Sequence, residues 1–205
     1  MSPDDFAAKF DVSRETRDQL TIFANLLKRW NRRINLVSGS TLPDVWVRHI
    51  ADSAQLVALA PGKSSWLDMG SGAGFPGLVV AALAPQASVT LIESDQRKAV
   101  FLRTAAAEMG LSVTVHAVRI EDAPAMAPDV ISARALAPLP RLLPLAARFA
   151  RPDTVLLFPK GASADSELTE AHRTWHTKTE TFPSMTDPTG VILRIRDVRP
   201  RHAEP

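Results

Sequence analysis

The residues with the most chemical reach are concentrated in one run, Asp68-Met69-Gly70-Ser71-Gly72-Ala73-Gly74-Phe75-Pro76-Gly77. Apolar Trp66-Leu67 leads in and Leu78-Val79-Val80 leads out, so a strand enters the run and a helix leaves it. Glycines at such a switch let the backbone turn sharply and let a ligand approach without Cβ obstruction. Gly72-x-Gly74-x-x-Gly77 matches the G-x-G-x-x-G fingerprint, and Glu93 ends the next apolar run, where an acid accepts from ribose hydroxyls. That pattern alone leaves a dinucleotide and other nucleoside ligands open. Three features tilt the balance away from the dinucleotide of an NAD-dependent oxidoreductase. Asp68 before the first glycine suits a ligand with an ammonium group and repels a pyrophosphate. Phe75-Pro76 makes the turn bulky and removes one N–H. The residues after Gly77 are used up completing one sheet, which leaves no substrate domain for hydride chemistry.

The elements that must position this loop are legible as alternating patterns. Strand-like runs occur at 65–69, 88–93, 112–118, 129–133 and 153–158, with helical stretches at about 76–84, 95–109 and 136–150. This alternation implies a parallel sheet with right-handed crossovers and helices on both faces. Trp175 to Phe182 and Val191 to Asp197 form two further strands joined by a Pro-, Ser- and Gly-containing turn, predicting an antiparallel pair at the sheet edge. Ahead of the sheet, Leu20, Phe23, Leu27, Trp30 and Ile34 space a helix over 13–35 with Ser13 as its cap. A second helix is expected from Pro43 to Leu59, with Trp46, Ile50 and Val57 inward. The organisation predicted is an N-terminal helical extension (1–62), a main domain (63–199) and a frayed tail (200–205).

Composition narrows the chemistry. The 205 residues are 45% hydrophobic and 22% charged, enough for a sizeable core. Cysteine is absent, which removes disulfides, zinc thiolates and thiol nucleophiles, and fits a reducing cytoplasm. The acidic start, Met1-Ser2-Pro3-Asp4-Asp5, predicts no signal peptide, and no apolar run is long enough to span a bilayer. Net charge is only +2, and the pI near 9.3 reflects the lack of Cys and Tyr as much as any excess of base. Arginine supplies 18 of the 24 cations, and guanidinium is the better fork for phosphates. A genome rich in G and C would produce the same bias.

The runs DMGSGAGFPGL (68–78), ESDQRKAVFLR (93–103), RIED (119–122), ISARALAPL (131–139) and PKG (159–161) occur in one order, joined by INLVS (34–38) and RHIADS (48–53). Together they resemble the small-subunit ribosomal RNA methyltransferase G family, also called glucose-inhibited division protein B, over about residues 20 to 197. The resemblance implies a Rossmann-like class I fold with a mostly parallel seven-stranded sheet and S-adenosylmethionine as cofactor. It implies N7 methylation of guanine 527 in the 530 loop of 16S rRNA, hence the small ribosomal subunit as partner in the cytoplasm. By the same likeness Gly70 and Phe75 line the cofactor pocket, Ile120 and Glu121 meet adenine and ribose, and Arg134 follows the fourth strand. From the residues themselves, Asp68, Gly72 and Glu93 complete the cofactor set.

Guanine N7 carries an exposed lone pair, so its attack on a methyl sulfonium needs alignment rather than a base. The absence of Cys argues against a pyrimidine C5 adduct. Amine methylation typically uses an Asn/Asp-Pro-Pro-aromatic loop, whereas here Ser132-Ala133-Arg134-Ala135-Leu136 follows the fourth strand. Ribose 2'-O methylation is the residual alternative, with Lys98 and Lys160 available. Asn35, His49 and Arg134 are expected to orient the substrate, with Arg119 and Arg194 also on the guanine or its backbone. Lys28, Arg32 and Arg33 are expected to hold phosphates. His49 and Asp52, three apart, could instead simply pair on their helix. No metal is expected, since no second histidine lies near His49.

Overall fold

A computed structural model describes residues 1–201. Ser2 opens α1 (Pro3–Phe10) through a reciprocal capping box with Asp5. The sequence pattern does not announce this helix, because eight residues offer too few periodic positions. Ser13 caps α2 (Arg14–Trp30), which stops short of residue 35. Asn31 ends it: Oδ1 accepts from the N–H groups of Leu36 and Val37, and Nδ2 donates to Val37 O.

The segment expected as one helix over 43–59 is broken into pieces. A π-helical turn, Trp46–Ala51, runs into α3 (Asp52–Ala54) and then a 3-10 turn, Val57–Leu59. Val45, Trp46, His49, Ile50, Ser53, Gln55 and Leu56 are all buried, so the segment is packed on several sides and no single amphipathic stripe governs it.

The sheet contains β1 (Ser65–Met69), β2 (Ser88–Ile92), β3 (Val113–His116), β4 (Val130–Ser132), β5 (Val155–Lys160), β6 (Trp175–Pro183) and β7 (Val191–Pro200). Their order is β3-β2-β1-β4-β5-β7-β6, with β1 to β5 parallel and β7 antiparallel to both neighbours. The strands thus diverge between β1 and β4, the switch point at which doubly wound sheets bind ligands. The crossovers are α4 (Gly77–Leu83), α5 (Gln96–Glu108) and α6 (Leu139–Ala147), followed by α7 (Ala164–Ala171), a further helix that the pattern does not predict. Pro138 disfavours a helical residue before it, and the helix expected from 136 begins only at Leu139.

Two apolar layers flank the sheet. Leu20, Phe23 and Leu27 of α2 share one with Trp66, Leu78 and Phe101. Leu139, Leu142 and Leu143 of α6 share the other with Leu67, Ile131 and Leu193. The N-terminal helices therefore close the core of the sheet rather than forming one of their own. Two residues of the expected tail are held in place: Pro200 pairs with Trp175 and Arg201 N donates to Thr174 O. Residues 202–205 lie outside the described residues. Among the described residues no helix is long and apolar enough to cross a membrane.

Candidate active site

Backbone geometry at the end of β1 creates the first cavity, about 490 Å³, within the range of small-molecule sites. Gly70 and Gly72 adopt φ of 65° and 54°, a left-handed conformation that residues with a Cβ resist. At Gly70 a Cβ would also come within 2.6 Å of Leu136 Cδ1. Both glycines line the cavity, with Phe75, Glu93, Arg119, Ile120 and Glu121. The Glu93 carboxylate accepts from Gly72 N at 2.8 Å and Asp95 N at 2.7 Å. Two backbone donors thus fix its orientation, and each oxygen keeps a lone-pair position for a hydroxyl. Ile92, Val118 and Leu145 add apolar surface suited to a purine. Glycine cradle, oriented acid and apolar wall together fit S-adenosylmethionine.

Asp68 does not reach that cavity, which corrects the expectation that it meets the ligand ammonium. It is wholly buried behind the loop, accepting from Ser132 Oγ at 2.8 Å and Gly77 N at 3.2 Å. Ser132 Oγ in turn accepts from Trp66 Nε1, so Asp68 ties β1, β4 and the start of α4 together. Burial pushes its carboxyl up to about 6, against the pull of Ser132, Ser71, Gly77 and Arg134.

A second cavity of about 690 Å³ opens beyond β4 and β5. Its wall against the first is the segment Arg134 to Ala137, which lines both. Ala135 holds this turn with φ of 52°. Arg134 is its organising side chain. Nη1 donates to Asp52 Oδ2 at 3.0 Å and Arg48 O at 3.2 Å, Nη2 lies 2.9 Å from His49 Nδ1, and the guanidinium sits 5.1 Å from the Phe75 ring centre. Phe75 also stacks on His49 and tilts against Phe23 of α2, so the N-terminal helices directly support the site.

Because guanidinium has no acceptor, His49 Nδ1 must accept, and the ring proton sits on Nε2. Nε2 then donates to Thr41 Oγ1 at 2.8 Å, and Thr41 donates onward to Ser38 O. Burial, then Arg134, pulls the imidazole down to about 4, leaving it neutral at pH 7. His49 and Asp52 do not pair directly: both meet Arg134. Asp52 Oδ1 accepts from Thr186 Oγ1 at 2.7 Å and Gln55 Nε2 at 3.0 Å, while Gln55 Oε1 accepts from Met185 N. These bonds latch the β6–β7 turn onto the π-helical segment. On the far wall Lys160 Nζ donates to Ala137 O and Glu167 Oε2, both at 2.8 Å, and the same Glu167 oxygen accepts from Leu139 N.

Of the residues expected at the site, Gly70, Gly72, Phe75, Glu93, Arg119, Ile120, Glu121, Arg134 and His49 line one cavity or both. Arg194 does not. Glu180 grips it through two bonds, of 3.1 and 2.6 Å, and Leu59 O takes a third, so it fastens β7 to β6 and the N-terminal segment. Asn35 is exposed and precedes Leu36 and Val37, which do line the first cavity. Lys28, Arg32 and Arg33 are exposed where α2 ends and line neither. Sequence reasoning missed Asn31, Gln55, Thr186 and Glu167; only Asn31, polar at the foot of an apolar helix, carried a local signal. No grouping of His, Asp and Glu among the described residues could hold a metal ion.

A doubly wound sheet with β7 inserted antiparallel, a glycine cradle at β1 and an acid at β2 define a class I S-adenosylmethionine-dependent methyltransferase. Solved structures of that class share the fold. The mitomycin 7-O-methyltransferase MmcR superposes with a TM-score of 0.61 at 17% identity, over 95% of this chain and 72% of its own. A TehB-like SAM-dependent methyltransferase from Corynebacterium glutamicum superposes at 0.60 and 15% identity, over 86% and 98%. The rRNA small subunit methyltransferase G family matches residues 16–190. A ribosomal RNA small subunit methyltransferase G from Rhodospirillum centenum is 57% identical over 96% of this chain and 91% of its own. The chain belongs to that family, and S-adenosylmethionine is its cofactor.

Proposed function

We propose that this rRNA methyltransferase acts in the cytoplasm on 16S RNA of the small ribosomal subunit, methylating N7 of one guanine. The observation that carries the reading is the shared wall, Arg134 to Ala137, with a cofactor-shaped cavity on one side and a second cavity on the other. When bound, S-adenosylmethionine supplies an electrophilic methyl on a sulfonium. Glu93 and the glycine loop orient the nucleoside, and Arg134 orients what approaches from the second cavity. Positioning of this kind is worth roughly 7–11 kcal/mol of barrier.

The hydrogen-bond pattern favours a nucleophile that needs no proton removed. Both His49 nitrogens are committed, and both Asp52 oxygens are engaged. Lys160, which activation of a ribose hydroxyl would want free, is held by Glu167 and Ala137 O. Transfer also moves positive charge onto the purine. Asp52 at 3.0 Å neutralises Arg134, so that charge meets no uncompensated cation at the wall.

The test is transfer of labelled methyl to purified 16S rRNA and to small subunits, with the product mapped by nuclease digestion and mass spectrometry. The expected product is a single 7-methylguanosine. Label in an alkali-resistant ribose-methylated dinucleotide, or in no guanine, overturns the reading.

A further inference from the structure

The β6–β7 ribbon has two unlike ends. At one, the turn between the strands closes the second cavity. At the other, the ladder sets Lys178 opposite Arg196 and His176 opposite Arg199, with Arg173 just before β6 and Arg201 just after β7. Residues directly opposite in an antiparallel pair project to the same side, and the like charges of Lys178 and Arg196 there destabilise the pair. The arrangement is only partly offset: Lys178 Nζ meets Asp197 Oδ2 at 2.7 Å. Within the described residues no carboxylate lies at ion-pair distance from Arg173, Arg196 or Arg199, all exposed. Arg194, the next cation inward on β7, is by contrast fully held by Glu180 and Leu59. His176 responds to its neighbours: burial, then Arg201 and Arg199, hold its imidazole below the ordinary value.

We propose that this cationic end of the ribbon is a second docking surface, gripping phosphates of the same ribosomal RNA away from the methylated base. The inference rests on the methyltransferase reading for its partner but concerns a different surface. β7 begins at Val191, which lines the second cavity, and a strand rises ~3.3 Å per residue, so Arg199 lies about 25 Å away. A structured RNA whose target base enters the cavity can reach both places at once. Guanidinium groups suit phosphate, because their fork donates two parallel hydrogen bonds to each one. A surface that costs sheet stability while leaving Arg173, Arg196 and Arg199 without an ion pair among the described residues is matched by a polyanion, and the chain's net charge of only +2 makes the local concentration informative. Phosphate binding of this type places the RNA and carries no base preference.

The experiment compares the full-length wild type with Arg196→Glu/Arg199→Glu, using a 16S rRNA fragment that contains the target loop and its stem. Affinity is measured by fluorescence anisotropy across a salt series. The double variant should bind roughly tenfold more weakly at low salt. Its plot of log affinity against log salt should be shallower by about 0.7–0.9 for each phosphate that is no longer neutralised. S-adenosylmethionine binding by calorimetry should not change, and the melting temperature should hold or rise, because Arg196→Glu sets an opposite charge against Lys178. Arg196→Lys/Arg199→Lys should keep most of the affinity, and Arg196→Gln/Arg199→Gln replaces the reversal if that variant misfolds. Unchanged affinity and salt slope overturn the proposal. So does binding to phosphatidylglycerol vesicles that depends on these arginines while RNA binding does not. Failure of the methyltransferase reading would show separately, as a wild-type product other than 7-methylguanosine.

Discussion

The first cavity draws most of its lining from consecutive strand ends of one sheet, while the second gathers segments far apart in the chain. Glycines, Glu93 and Ile120 follow β1, β2 and β3 in turn, and backbone conformation does most of the shaping. The second cavity takes Thr41 and His49 from the N-terminal segment, Lys160 from β5, Glu167 from α7 and Thr186 from the β6–β7 turn. Its shape depends on side-chain bonds between elements, chiefly those of Asp52 and Glu167. The first cavity can thus persist as a local motif, whereas the second must be assembled from distant parts of the chain.

Variants of the shared wall test that contrast most severely. Arg134→Ala should lower kcat/KM for RNA methylation about 100-fold, because misplacement alone costs that much. Stability should fall about 2 kcal/mol as Asp52 is left without its charged partner. Lysine should not rescue it, having no planar fork. Retained activity would mean that the two cavities work independently.

Gly70→Ala should strike the first cavity harder than the second. The left-handed φ costs a Cβ-bearing residue about 1–2 kcal/mol, and the Cβ presses on Leu136. Calorimetry should show affinity for S-adenosylmethionine reduced roughly tenfold. Equal loss of RNA and cofactor affinity would instead show that Leu136 transmits the strain across the wall.

The pH dependence of stability contrasts the buried acid with the buried imidazole. Burial raises Asp68 from 3.8 to about 6, so the folded state holds its proton longer, and its contribution is lost as pH rises through that window. His49 is lowered from 6.5 to about 4, so its contribution is lost as pH falls through that window and is complete above it. The two oppose each other between pH 4 and 6. In Asp68→Asn the melting temperature should therefore climb more steeply with pH over this range than in the wild type. A parallel profile would contradict it. The smallest effect belongs to the latch: Thr186→Ala removes one hydrogen bond to Asp52, about 1 kcal/mol, and should slow methylation severalfold without altering cofactor affinity.

The parallel strands and their crossovers are legible in the sequence because each carries its own periodicity and punctuation. Short α1 and α7 are not, since a helix of eight residues makes barely two turns of pattern. The π-helical turn escapes for another reason: burial on several sides erases the amphipathic stripe. The glycine loop, Glu93 and Arg134 can be named because position after a strand end defines them. Residue type and strand position assign Asp68 and Arg194 to ligands, whereas the structure engages both with other parts of the fold.

Sequence by itself determined the sheet class and the cofactor loop, which follow from local spacing along the chain, and the family, which its motifs resemble. Only the tertiary structure decided which charges are spent on the fold and which stay exposed without an ion pair among the described residues. A carboxylate or guanidinium has the same identity in either role, and its partners arrive from elements tens of residues away.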